Sequence, residues 1–342
     1  MQGKHVIIPI FVPHKGCPHD CIFCNQKKIS GQVEEMLAEK IPELIESHLS
    51  TVPSDAFIEI AFYGGSFTAI DKEVQKSFLE KAVPYITGGR VSEIRLSTRP
   101  DAIDDEILEL LKMYHVKTIE LGVQSMEDDV LNASYRGHNA ACVYEASALI
   151  RKKGFQLGIQ TMTGLPGDTR EKSLQTARKV IEIAPEMVRI YPVLVIKGTE
   201  LERQYKRGQY TPQKLDEAVE LCADLLELYE ENGIQVIRIG LQTTDTIREG
   251  TESEIAAGPI HPAFRQLVES KRMLKKMEAV IERQGLEGIR ELVIHTGISD
   301  VSYVVGQKRQ NITWLQSKYR IGSIRVKGDG SIDHGFVFHV AE

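Results

Sequence analysis

The residues best suited to chemistry in this chain are three cysteines, Cys17, Cys21 and Cys24, which form a Cys-x3-Cys-x2-Cys row. Three thiolates can hold three irons of a 4Fe-4S cube and leave the fourth iron open to a small molecule. The competing interpretation is a structural zinc site, in which His14 or His19 completes a shell of three cysteines and one histidine. The spacing alone leaves both metals open.

The residues around these cysteines favour iron. An aromatic residue, Phe23, stands directly before the third cysteine, as it commonly does in the cluster loop of the radical S-adenosylmethionine (SAM) superfamily. The segment 13–25 resembles that loop. The resemblance implies an enzyme with a 4Fe-4S cluster and with SAM as cosubstrate, which it cleaves reductively to a 5'-deoxyadenosyl radical.

Composition narrows the class of protein. The chain has 342 residues, 42% of them hydrophobic, so it can bury a large core, and its net charge of -6 provides no global basic field for nucleic acid or anionic membranes. The two remaining cysteines, Cys142 and Cys222, lie on helical patterns and suggest no disulfide framework. No apolar run approaches the roughly 18 residues that span a bilayer. We therefore expect a cytoplasmic protein without a membrane partner.

The hydrophobic pattern predicts an α/β fold. Apolar β-rich runs alternate with longer segments of helical period, which is typical of a parallel sheet wrapped by helices. Six strands are predicted over residues 5–11, 57–63, 91–97, 116–123, 155–162 and 187–195, and five helices over residues 33–50, 72–83, 104–114, 140–153 and 171–183. Six strands fit a partial TIM-type (β/α)6 barrel, the radical SAM barrel.

The pattern changes after Val195. A stretch of two helices over 200–232, a strand over 234–240, a region rich in glycine and threonine over 242–258 and a helix over 264–283 follow. We predict that residues 1–240 form the radical SAM barrel with its N-terminal cluster loop. Residues 241–342 are predicted to form an α+β extension packed on the barrel.

The second predicted strand ends in Gly64, Gly65 and Ser66. Adjacent glycines permit positive φ and the close approach of a ligand to the backbone, although a lone Gly-Gly is more often an ordinary tight turn. Following a cluster loop, the segment resembles the glycine-rich motif that grips the amino group of SAM. The family commonly has Glu at the position of Ser66, but the contact is largely made by backbone.

Four polar residues at other strand ends complete the predicted SAM site: Ser97, Gln124, Arg136 and Gln160. They resemble positions that contact the SAM carboxylate and ribose in a subfamily including the Elongator catalytic subunit and oxygen-independent coproporphyrinogen III oxidase. Arginine can pair bidentately with a carboxylate, and glutamine can bond ribose or carboxylate oxygens. The oxidase carries acidic residues in place of Ser97 and Gln160.

The resemblance to the radical SAM region of Elongator extends over most of the chain, in the segments 120–125, 136–138, 162–167, 190–199 and 258–265. It implies modification of RNA, specifically a tRNA base, with an electron donor such as ferredoxin or flavodoxin. Two alternatives stay open at this point. One is a radical SAM enzyme acting on a tetrapyrrole or another small molecule, and the other is a non-catalytic Fe-S or zinc protein that senses redox state or binds a partner.

Elongator's catalytic subunit carries an acetyltransferase domain beyond this extension, whereas the sequence here ends at Glu342. The segment 325–330 has the spacing of an acetyl-CoA pyrophosphate loop, but such a loop should open a helix, and the residues after it alternate like a strand. We interpret Asp329 and Gly330 as a hairpin turn and do not expect acetyl transfer.

Several residues have both a substrate-binding and a structural interpretation. Tyr191 and Lys197 could face the cavity or simply pack and be solvated. Arg238 interrupts an apolar strand, so it either pairs with a core carboxylate or reads an anionic substrate. His295 is expected to be structural. The cations between Lys271 and Lys276 are expected to form one solvated helix face in preference to an RNA contact.

Overall fold

The computed structural model of the protein describes residues 5–12, 17, 21–25, 36–53, 55–241 and 253–341. The chain divides into two compact units, one of residues 1–214 with 229–260 and one of residues 215–228 with 261–342. The predicted boundary after residue 240, and the packing of the extension on the barrel, stay predictions. Within the ranges described, no helix is both long and apolar enough to cross a membrane.

The first unit is built on a sheet of seven parallel strands. They are β1 (His5–Phe11), β2 (Phe57–Tyr63), β3 (Glu93–Thr98), β4 (Val116–Gln124), β5 (Gln156–Thr163), β6 (Met187–Pro192) and β8 (Gln235–Ile239). They pair in the order β1-β2-β3-β4-β5-β6-β8. The curled half-barrel sheet confirms the predicted partial TIM-type fold. The strand predicted over 234–240 joins it as a seventh strand.

Helices follow most of the strands, as a right-handed βαβ succession requires. In the first unit they are Ile41–Leu49, Lys72–Thr87, Asp105–Met113, Asp128–Ala133, Ala140–Lys152, Arg170–Ile183 and Glu200–Lys206, with the end of Leu215–Glu231. Two of these helices begin at a capping side chain, because Asp104 accepts from Ile107 N at 2.7 Å and Thr169 accepts from Lys172 N at 3.2 Å. Short strands β7 (Val195–Ile196) and β9 (Ile255–Ala257) pair antiparallel.

The first helix begins later than predicted. A helix was expected over 33–50, but it runs over Ile41–Leu49 after a 3-10 turn at Ala38–Lys40, while residues 31–35 lie outside the described part. Pro42 stands in the first turn, where its missing N–H costs no hydrogen bond. Proline therefore marks the start of this helix better than the hydrophobic period does.

The second unit contains a three-stranded sheet in the order β11-β10-β12, formed by Ser323–Asp329, Glu291–Gly297 and Phe336–Ala341. Helices Phe264–Gln284, Val301–Val305 and Gln310–Tyr319 accompany it. The hairpin predicted at Asp329 and Gly330 is wrong, because β11 and β12 do not pair with each other. Both pair with β10, β11 parallel and β12 antiparallel, so the chain crosses β10 between them.

The predicted solvated cationic face lies on the helix Phe264–Gln284 and is paired throughout with acids of the second unit. Lys271 meets Glu220 at 2.7 Å, and Lys276 meets Glu227 at 3.0 Å. Lys275 pairs with Asp224, and Arg272 pairs with Glu227. All three acids lie on the helix Leu215–Glu231. These cations bridge two helices, which agrees with the structural interpretation and leaves less charge for RNA phosphates.

Candidate functional site

The cysteine loop is anchored to the first unit by its described residues. Cys21 is buried, and it packs with Ile22 and Phe23 in an apolar cluster that also contacts Cys24. Ile22 N donates to Ser134 O at 3.2 Å, and Ile22 O accepts from Leu201 N at 2.8 Å. The loop therefore lies against the chain that follows β4 and against the helix Glu200–Lys206.

The three cysteines have the chemistry that a cluster needs, since soft thiolates suit iron-sulfur clusters and zinc. All five cysteines are described, and none forms a disulfide. In the described ranges no three His, Cys, Asp or Glu side chains stand at metal-binding distances. His14 and His19, proposed as zinc ligands, lie outside the described residues, as do the segments that join Cys17 to its neighbours.

The glycine-rich segment lies at the end of β2. Gly64 has φ 91°, a conformation that favours glycine over any residue with a side chain. Ser66 is fully buried, and its hydroxyl contacts Thr98 Oγ1 at 2.9 Å and accepts from Arg99 N at 3.0 Å. The Ser66 side chain thus joins the ends of β2 and β3, which leaves its backbone as the group that could meet a ligand.

Two predicted site residues, Gln124 and Gln160, contact each other. The β4–β5 register shifts between Gly122 and Gln124, and Gln124 has φ 70°. Such a bulge with a left-handed residue re-aims a side chain and is commonly found near functional sites. Gln160 Nε2 then donates to Gln124 Oε1 at 2.7 Å, so a ligand would meet the other end of each amide. Ser97 lies half-buried on β3, paired in register with Glu120.

Arg136 connects the strand ends to the cysteine loop. Its guanidinium is buried and donates through Nη1 to Cys21 Sγ at 3.4 Å and through Nη2 to Gly122 O. A Cβ on Gly122 would lie 3.0 Å from Nη2 of Arg136 and 2.9 Å from Nε2 of Gln124, so any larger residue would displace the ends of both side chains. A bidentate pair between Arg136 and a carboxylate would have to displace one of these hydrogen bonds.

Arg99 was not among the predicted site residues, although it follows Ser97 and Thr98. It is buried, forms a bidentate pair with Asp101 at 2.8 Å for both bonds, and donates to Arg136 O at 2.6 Å. Burial opposes its charge, but Asp101, with the negative charge of Cys21 and Cys17, raises the pKa of Arg99. An arginine at the end of an apolar strand was the signal available in the sequence.

A buried ion-pair network inside the sheet was also missed. Arg95 on β3 bonds Glu59 Oε2 on β2 at 2.8 Å and Glu120 Oε1 on β4 at 2.9 Å. Arg189 on β6 bonds both oxygens of Glu120, at 2.5 and 2.9 Å, and Tyr63 OH at 2.8 Å. Burial alone would raise the pKa of Glu120, but Arg189 and Arg95 hold it below its ordinary value. In the sequence, such a network is indicated by charged residues that interrupt apolar strands, of which the sequence analysis names only Arg238.

The residues considered for the substrate side have different surroundings. Burial raises the pKa of Tyr191, and the positive charges of the neighbouring Arg189 and Arg238 only partly offset this rise. Lys197 donates through Nζ to Ser253 O, which is a structural contact. In the second unit, His295 Nδ1 lies 3.8 Å from Asp329 Oδ2.

The chain matches known families and proteins along most of its length. The sequence profile of the Radical SAM superfamily matches residues 11–180, and that of the Radical_SAM C-terminal domain matches residues 185–276. A tRNA uridine(34) acetyltransferase from Methanocaldococcus jannaschii is 29% identical over 265 residues, 65% of this chain and 48% of that enzyme. Elongator complex protein 3 from Saccharomyces cerevisiae is 28% identical over 191 residues, 50% of this chain and 34% of that protein.

The chain therefore spans half or less of the length of these two relatives. Among solved structures, the archaeal Elp3 of Methanocaldococcus infernus aligns with a TM-score of 0.62 at 22% identity, covering 89% of this chain and 68% of that one. At this identity the structural likeness supports the fold alone. Enzymes of the matched family use a 4Fe-4S cluster and SAM, as the resemblance of segment 13–25 implied. The chain belongs to the radical SAM superfamily of enzymes.

Proposed function

We propose that this enzyme holds a 4Fe-4S cluster on Cys17, Cys21 and Cys24, cleaves SAM reductively, and uses the radical to modify RNA, specifically a tRNA base. The observation that carries the proposal is the hydrogen bond from Arg136 to Cys21 at 3.4 Å. Arg136 also bonds Gly122 on β4, so this single side chain connects the cysteine loop to the strand ends. Function in barrels of this type sits at that edge.

A 4Fe-4S cluster held by Cys17, Cys21 and Cys24 would supply, when reduced, the electron for reductive cleavage of the carbon-sulfur bond of SAM. The residues of the chain bind and orient SAM beside it. The backbone of Gly64, Gly65 and Ser66 would accept from the SAM amino group, because positive φ at Gly64 exposes it. The amides of Gln124 and Gln160, which hold each other in place, would bond its ribose or carboxylate oxygens.

Two further residues complete the proposed SAM contacts. Ser97 stands half-buried on β3, with a hydroxyl that can donate to or accept from ribose. Arg136 offers a positive charge to the SAM carboxylate. Because both of its terminal nitrogens already bond the protein, we expect this charge to act on the carboxylate without the bidentate pair expected from the sequence.

RNA as the substrate is supported by the relatives. Two of them are named as a tRNA uridine(34) acetyltransferase and as Elongator complex protein 3. A one-electron donor such as ferredoxin or flavodoxin would deliver the electron that starts each cycle. The proposal does not extend to acetyl transfer.

The test is an anaerobic assay of the full chain after reconstitution with iron and sulfide. With SAM and dithionite, we expect 5'-deoxyadenosine from the wild type and none from a Cys17→Ala, Cys21→Ala, Cys24→Ala variant. A Cys142→Ala variant, altered in a thiol outside the Cys-x3-Cys-x2-Cys row, should match the wild type. A chain that binds a cluster and SAM but never cleaves SAM would refute the catalytic part.

The same assay tests the substrate. Added total tRNA should raise the yield of 5'-deoxyadenosine, and mass spectrometry of the digested tRNA should reveal a new nucleoside. If a tetrapyrrole raises the yield and tRNA does not, the RNA part of the proposal is wrong while SAM cleavage stands.

A further inference from the structure

Two buried arginines, Arg99 and Arg136, contact each other beside the cysteine loop. They are 2% and 6% exposed, and Arg99 Nη2 donates to the backbone carbonyl of Arg136 at 2.6 Å. Asp101 holds the charged guanidinium of Arg99 in place through two hydrogen bonds. The two terminal nitrogens of Arg136 meet a neutral carbonyl and the sulfur of Cys21, so its charge is directed at the loop.

Each guanidinium keeps one buried nitrogen without a hydrogen-bond partner in the described residues, Nη1 of Arg99 and Nε of Arg136. A buried donor of a charged group that is left unsatisfied is destabilising, so such groups normally have an acceptor. Two of them in adjacent arginines, with a third donor already on Cys21 Sγ, indicate that an acceptor rich in negative charge belongs at this position.

The acceptor that the donor set fits is a thiolate-bound cluster. Arginine is more weakly hydrated than lysine and presents several donors in one plane, which suits a group with several sulfur acceptors. Cys21 and Cys17 both lie close enough to Arg99 for their negative charge to act on it. Arg136 thus contacts one of the proposed ligand sulfurs directly, and the charges of two of them act on Arg99.

We propose that Arg99 and Arg136 form a cationic wall against the cluster and raise its reduction potential. The inference rests on the proposed function and concerns the same site. In the step affected, one electron passes from a donor of the ferredoxin or flavodoxin class to the oxidised cluster, and no bond forms or breaks. The added negative charge is stabilised by nearby positive charge and by hydrogen bonds to sulfur, which are known determinants of cluster potential. These arginines are positioning and tuning residues for electron uptake.

The experiment is a redox titration of the reconstituted full chain, followed by electron paramagnetic resonance and carried out without SAM. Omitting SAM separates this role of Arg136 from any contact with the cosubstrate. Arg99→Gln and Arg136→Gln should each move the midpoint potential to a more negative value. Arg99→Lys and Arg136→Lys should move it less in the same direction, because they keep the charge and lose the planar donors.

The control is Arg90→Gln, which removes an exposed guanidinium paired with Glu46 and should leave the midpoint unchanged. If the glutamine variants hold a full cluster at the wild-type midpoint, the inference is wrong. If they assemble no cluster, the lysine variants decide, and a wild-type midpoint in both overturns it.

The two proposals fail in different ways. A wild-type chain that takes up zinc, or no cluster, refutes the proposed function before any titration. A wild type that cleaves SAM, with variants whose midpoints are unshifted, refutes the cationic wall alone.

Discussion

Replacing Glu120 by glutamine tests the buried network that ties β2, β3, β4 and β6 together. Its carboxylate is 4% exposed and accepts three hydrogen bonds from two guanidiniums, one from Arg95 and two from Arg189. Glutamine keeps the size of the side chain but removes the negative charge. Arg95 retains its pair with Glu59, whereas Arg189 would stay buried without a compensating charge.

Removing one partner of a buried ion pair typically costs about 3–5 kcal/mol, because the other charge remains desolvated. We expect a loss of this size in the free energy of opening the seven-stranded sheet. Since about 1.4 kcal/mol corresponds to tenfold in an equilibrium constant, amide protection in β4 and β6 should fall roughly 100- to 4,000-fold.

Hydrogen exchange followed by mass spectrometry is the assay, because it reads peptides of this sheet separately from the second unit. Arg90→Ala is the matched control, since it breaks an ion pair whose two side chains are 52% and 50% exposed, and exposed pairs contribute little. Protection in β4 that falls no further in Glu120→Gln than in the control would refute the reasoning.

Three further predictions concern other parts of the molecule. Gly122→Ala would bring a Cβ to 3.0 Å from Arg136 Nη2, so SAM affinity measured by calorimetry should fall about 5- to 150-fold, the equivalent of roughly 1–3 kcal/mol of overpacking, and unchanged affinity would contradict the site geometry. Burial, aided by the charge of Arg136, lowers the pKa of His138 from 6.5 to about 4. Between these two pH values His138 is protonated in the unfolded chain but neutral in the folded chain. The free energy of unfolding should therefore be greatest above pH 6.5 and fall by about 3 kcal/mol as the pH drops to about 4. Urea denaturation of the wild type and of His138→Gln over this pH range is the measurement. Lys276→Ala should leave the affinity for tRNA, measured by filter binding, within about twofold of the wild type, because Glu227 already pairs with this lysine. A large loss of affinity would indicate that this helix face contacts RNA.

The positions of most elements in the first unit could be predicted because each depends on local pattern. Strands β1 and β2 have the predicted bounds, and the helix ends follow capping side chains such as Asp104 and Thr169. The gathering of strand-end residues at one edge also follows from the pattern, since parallel strands end on the same side.

Features that depend on contacts distant in sequence could not be predicted. The pair between Arg189 and Glu120 joins residues 69 positions apart, and no periodicity reports which charges meet inside a sheet. The pairing of β12 with β10 instead of β11 is likewise a choice of topology. The bulge before Gln124, which brings this side chain to Gln160, changes the register of one strand pair without any marker residue such as proline.

We propose above that Cys17, Cys21 and Cys24 hold a 4Fe-4S cluster, and such a cluster would bind SAM on its open iron. The most direct measurement combines metal and sulfide analysis of the anaerobically purified chain with electron paramagnetic resonance of the reduced protein before and after addition of SAM. We predict about four irons and four sulfides per chain, their loss in the triple cysteine variant, and a spectrum that shifts when SAM is added. One zinc per chain with no iron, or a cluster whose spectrum ignores SAM, would contradict the account.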